Sequence, residues 1–205
     1  MCRTKARTEA RLTAHLRTFT ACCGAAYAGS MSTPGPPLGA HTRAATIVME
    51  ASNEPGWGMF VWLAVTTDVR GAELCALRWD DVDFDLGALT VRSATGLRRV
   101  PLDAQTITLL RAYLAHCAAQ AAILGIERHP AAYVFSTTPD GGTAPSPDEF
   151  AGRYTRMCAG LGWAADLDRP PHCPTTDLVA AGVDVRVFLW RLQRGLSRIQ
   201  RRPRA

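Results

Sequence analysis

Arg70 and Glu73 stand three residues apart, just ahead of Leu74 and Leu77, and on a helix that spacing puts them one turn apart on the same face. A carboxylate so placed can orient the guanidinium or cap the helix. The same spacing also makes an ordinary surface ion pair. Four acids follow closely, Asp80, Asp81, Asp83 and Asp85. Their spacing matches no calcium-binding loop, and Asp81 and Asp83 suit a turn. Lys5 is the only lysine of the chain. Arginine keeps its proton to pH values above ~12 and is a poor general acid.

These residues need elements to hold them. Residues 57–65 form a continuous apolar run that reads as a buried helix, and residues 72–77 read as a second, stopped before the acids. Residues 88–92 (ALTVR) and 98–102 (RRVPL) alternate as two short strands of a hairpin. Asp103 is placed to N-cap a long helix through Ile107, Leu110 and Leu114 that closes near Gly125. Further helices are expected over 43–50, 150–161, 177–181 and from 185 onward, with a brief extended piece at 133–135. The fold class is mainly α with a small antiparallel β-hairpin or sheet (α+β).

Residues 1–40 read as a basic segment and a Pro/Gly linker (SMSTPGPPLG over 30–39), poorly ordered, although 1–20 could form a basic helix. The principal domain spans 41–192, and 193–205 is a basic tail. The net charge of +5 is compatible with a phosphate-bearing partner or with a solvated arginine-rich surface. Seven cysteines with no CxxC pair and no Cys/His ligand spacing point to free thiols, no metal site and a reduced, cytoplasmic setting. Cys75, Cys117 and Cys158 fall in apolar helical patterns, as small buried thiols do. The 57–65 run is too short to span a bilayer. Export is not expected, because Thr18, Thr20 and Gly24 interrupt any apolar leader.

Taken as one string, residues 70–83 (RGAELCALRWDDVD) give RxxELxxLxWxDVD. The string resembles the first conserved box of the tyrosine site-specific recombinases of the phage integrase type. The later segments RRVPL (98–102), a helix opened by Asp103, VFSTTPD (134–140) and DLVAAGVDVRVFLWRL (177–192) follow in the family's order, so the resemblance covers about residues 43–192. It implies a tyrosine-recombinase catalytic-domain-like fold, DNA as partner, no membrane, no cofactor and no metal. It also implies association with further copies on DNA and a role in DNA recombination and integration in a mobile-element setting. In that family a tyrosine hydroxyl attacks a DNA phosphodiester through a doubly charged transition state, which paired guanidinium donors stabilise. Arg70 is implied as the first of those arginines with Glu73 beside it. Arg92, Arg98 and Arg99 are implied as DNA-binding, and His172 as the candidate family histidine.

The chain departs from the family at four places. Ala94, Thr95 and Gly96 stand where a hairpin lysine serves as general acid. In the second box, HxxRH, the position three after His172 is Thr175 rather than arginine. The tyrosines are Tyr27, Tyr113, Tyr133 and Tyr154, none after that box, so no nucleophile is assigned. Residues 1–39 are too short for the family's amino-terminal DNA clamp. The expectation is an integrase-type DNA-binding protein defective in strand cleavage. The alternative is a non-catalytic DNA-binding remnant or regulator.

Overall fold

The computed structural model describes residues 39–93, 96–164, 167 and 170–200, with residue 40 and the last eight of these described in backbone only. The expected basic helix over 1–20, most of the linker and the end of the tail lie outside the described residues.

Helix α1 (Ala40–Ala51) presents Ala44, Ile47, Val48 and Ala51 to the interior, spaced as one helical face requires. Helix α2 (Pro55–Thr66) starts on a proline, whose missing N–H costs nothing in a first turn. Every residue from Trp57 to Val65 is buried, so α2 is apolar all round and forms the axis of the core. Gly58 lets α1 approach it. A Cβ there would lie 2.8 Å from the Ser52 Cα and 2.9 Å from the Phe188 ring.

A short helix α3 (Gly71–Cys75) and a 3-10 turn (Trp79–Asp81) lead into the sheet. The sheet is antiparallel in the order β1 (Val82–Asp83), β2 (Ala88–Ser93), β3 (Gly96–Pro101). Val82 pairs with Leu89, and Leu89 with Val100. The two expected strands are present, and β1 adds a third. Its cause is local: the Asp83 carboxylate accepts from the N–H groups of Leu86 (2.8 Å) and Asp85 (3.2 Å) and folds the chain back through Gly87 at φ 61°. The Leu86 hydrogen bond is the main reason that the Asp83 carboxyl titrates below the usual range.

Helix α4 (Ala104–Leu124) begins at Asp103, whose side chain accepts from the N–H groups of Gln105 and Thr106, and ends at Gly125 with φ 67°. Helices α5 (Pro147–Gly160), α6 (Thr175–Ala180) and α7 (Val185–Gln200) complete the shell. Their ends fall within a few residues of expectation, because Pro147 and Thr175 open their helices earlier than the apolar pattern marks. The extended piece near 133–135 is a single bridge, Tyr133 to Arg78. Phe188 and Leu192 of α7 are buried, and the helix packs on α4 and α2.

One polar chain crosses this interior. Trp62 Nε1 donates to Thr106 Oγ1 (2.9 Å), and the hydroxyls of Thr106 (2.7 Å) and Thr175 (2.8 Å) both donate to Asp103 Oδ2. It ties α2, α4 and α6 together. Partial desolvation opposes ionisation of Asp103, but its four hydrogen bonds together outweigh that and hold its carboxyl below the usual range.

Helix α4 is long and apolar enough to cross a membrane by length and composition alone. Its Leu109, Leu110, Tyr113 and His116 are spent inside the core instead. His116 Nδ1 lies 2.8 Å from the Leu192 carbonyl. Burial lowers its pKa, and that hydrogen bond only partly offsets the effect. The folded state therefore binds this proton less readily than the unfolded chain, whose histidine titrates near ~6.5. Its contribution is fully present above that pH and is lost as pH falls through the depressed folded value. Urea midpoints should accordingly drop between pH 7 and pH 5, and His116→Gln should flatten that drop. An unchanged slope in the variant would refute the assignment.

The described cysteines Cys75, Cys117, Cys158 and Cys173 are free. Burial pushes the Cys75 thiol up to about 11, as expected of an inert core thiol.

Candidate nucleic-acid interface

The site is built on the turn that joins α2 to α3. Thr67 Oγ1 donates back to the Leu63 carbonyl (2.6 Å) and closes α2, Val69 is buried, and Arg70 emerges exposed. Arg70 takes an extended conformation as the N-cap of α3, and its backbone N–H donates to Glu73 Oε2 at 2.9 Å. Arg98 of β3 reaches the same carboxylate oxygen at 2.7 Å and also donates to the Asp68 carbonyl at 2.9 Å. Glu73 thus caps the helix and pairs with Arg98, leaving the Arg70 guanidinium with no ion pair among the described residues.

The segment before α6 docks on the same turn. The Cys173 N–H donates to the Val65 carbonyl (2.9 Å), and His172 Nδ1 lies 3.7 Å from Asp68 Oδ1. Leu167 covers Gly71 so closely that a Cβ on that glycine would sit 2.7 Å from its Cδ2. Arg70, Glu73, Arg98 and His172 are therefore brought together around Asp68, from positions up to about a hundred residues apart in the chain. Asp68 is a member of the cluster that the sequence alone did not single out. Its position two before Arg70 was the available signal.

The other hairpin arginines are not part of that cluster's bonding. Arg92 pairs with Asp81 (2.7 Å) and Arg99 with Asp83 (2.8 Å). Arg78 stacks over the Tyr133 ring, 4.1 Å from its centroid, and donates to the Tyr133 hydroxyl (2.6 Å) and the Ala131 carbonyl. Leu74 and Leu77 are core residues and Trp79 packs at its edge, as read from the sequence.

Thr175 points away from the cluster. It is 7% exposed and its hydroxyl is held by Asp103, so the position three after His172 faces the interior. The described tyrosines are also committed. Tyr113 and Tyr154 are buried, and burial raises the Tyr113 pKa well above its ordinary value. Tyr133 is the partner of Arg78.

No family model matches the chain. A stretch of 52 residues is 42% identical to the tyrosine recombinase XerC of Xanthomonas campestris pv. campestris, which is 25% of this chain and 16% of that protein. The fold is similar to that of the XerA recombinase in its crystal structure, with a TM-score of 0.53 and 20% identity over 84% of this chain and 60% of that one. The Tn1549 transposon integrase, solved in complex with transposon right end DNA, gives a TM-score of 0.48 and 14% identity over 87% of this chain and 64% of that one.

The helical shell and three-stranded sheet match the fold of tyrosine-recombinase catalytic domains. The chain is thus similar to a tyrosine recombinase over a 52-residue stretch of sequence and to a recombinase in fold.

Proposed function

We propose that this chain is an integrase-type protein of DNA recombination that grips a DNA phosphodiester at the Asp68–Glu73 turn and does not itself complete strand cleavage. The observation that carries the reading is the geometry of that turn. Arg70, an exposed guanidinium with no ion pair among the described residues, belongs to the turn on which Arg98 and His172 also converge, a grouping suited to a phosphate diester. Similarity to recombinases supports DNA as the partner and the cytoplasm as the setting.

Three internal features oppose cleavage. The sequence between β2 and β3 is Ala94 and Thr95, with no lysine, so no proton donor for the leaving oxygen comes from there. Thr175 gives the transition state no second fork. The described tyrosine hydroxyls are buried or engaged, so none is offered to a phosphorus atom.

Anisotropy of a labelled duplex should report binding that weakens steeply with salt. Arg70→Ala should weaken it about tenfold and make the log–log salt slope shallower by about 1. A salt-insensitive signal, or none, would sink the DNA reading. A nicked duplex that traps covalent intermediates should yield no adduct. An adduct that survives denaturation would overturn the inactivity.

A further inference from the structure

At Cys173, three potential ligand atoms from separate elements converge. His41 Nδ1 of α1 lies 3.4 Å from Cys173 Sγ and 3.4 Å from Asp177 Oδ2, the latter in the first turn of α6. All three ligand atoms lie within 4.8 Å of one another. Cys173 is wholly buried, whereas His41 and Asp177 keep much of their surface in solvent.

The two distances from His41 match a definite geometry. A tetrahedral zinc with bonds of ~2.0–2.1 Å to nitrogen and oxygen and ~2.3 Å to sulfur separates its nitrogen and sulfur ligands by ~3.6 Å, and its nitrogen and oxygen ligands by ~3.4 Å. We propose that His41, Cys173 and Asp177 bind a zinc-type divalent cation as three protein ligands, with solvent at the fourth position. The mixed imidazole, thiol and carboxylate set selects against calcium and magnesium, which take oxygen ligands. On binding, the Cys173 thiol gives its proton to solvent and the thiolate sulfur bonds the metal.

The site has a structural consequence. His41 belongs to α1, Cys173 to the segment that docks on α2, and Asp177 to α6, so one ion would fasten the three together. His172 is the neighbour of Cys173, and the ion would fix the side of the Asp68 cluster that this histidine occupies. The ligands lie as far as 136 residues apart in the chain, which no ligand-spacing rule detects. The ion would bind whether or not the chain grips DNA.

The test uses the full chain and cobalt(II) as a spectroscopic zinc surrogate. The wild type should develop a thiolate-to-cobalt charge-transfer band at one equivalent, lost on adding zinc, and zinc should raise the melting temperature. Cys173→Ser should abolish the band. Because Cys173 is buried, the exposed His41→Ala supplies a second variant expected to fold normally and to bind cobalt at least tenfold more weakly. No band in the wild type would overturn the site. So would a band that persists in Cys173→Ser, or unchanged affinity in His41→Ala.

Discussion

Trp62→Ala is expected to lower the unfolding free energy by about 3–5 kcal/mol, the range for emptying a large aromatic site in a core. Trp62 is fully buried at the middle of α2, where its ring meets Phe188 of α7 edge-on at 5.8 Å. Its removal opens a void between α2, α4 and α7 and also strips Thr106 of the indole donor. A domain of this size is ordinarily stable by only about 5–15 kcal/mol. The melting temperature should therefore fall by on the order of 10 °C or more. Trp62→Phe helps separate the two contributions, since it refills most of the volume but loses the hydrogen bond. Chemical denaturation of the three proteins checks this. A loss below about 1 kcal/mol in the alanine variant would mean that the site collapses around the void or that α2 is not the axis of the core.

Asp103→Ala is expected to cost about 2–3 kcal/mol, a deficit assembled from two sources. An N-cap carboxylate contributes about 1 kcal/mol. The Thr106 and Thr175 hydroxyls it accepts are both buried and would lose their acceptor. Exposure of Asp103 lets water take over some of that role, which keeps the figure below the sum for two orphaned groups. Asp103→Asn preserves cap and acceptor and should lose less than half as much. The effect also has a functional arm. Thr175 lies just past His172 and Cys173 in the chain, so freeing it loosens the docked segment and should weaken duplex binding under native conditions. Equal stability of the Asp103→Ala variant and the wild type in urea titrations would remove this network from the account.

What could be foreseen was whatever the chain encodes over short distances. Apolar residues 57–65, the Asp103 cap and the Gly125 stop act within a turn or two, and each is found as expected. The 70–83 box was legible for the same reason, being contiguous. The pairing of Glu73 with Arg98 was not, because the hairpin closes a separation of 25 residues that side-chain types alone do not specify. The third strand escaped notice since two residues carry no alternation to detect. Thr175 was legible as a departure from the box, but its inward direction depends on Asp103, which is 72 residues away.

The acids paired with the hairpin arginines set the ionic character of this face. Glu73 and Asp81 are only 13% and 5% exposed, yet each neutralises a more exposed guanidinium, that of Arg98 and Arg92 respectively. A phosphate arriving at either arginine must displace a carboxylate of the protein itself, not a loosely held ion from solution. The exchange is nearly electroneutral and leaves a buried carboxylate short of its partner. The hairpin is therefore self-screened. Polyelectrolyte attraction on this surface is concentrated at Arg70, where no carboxylate of the described residues has to be evicted first.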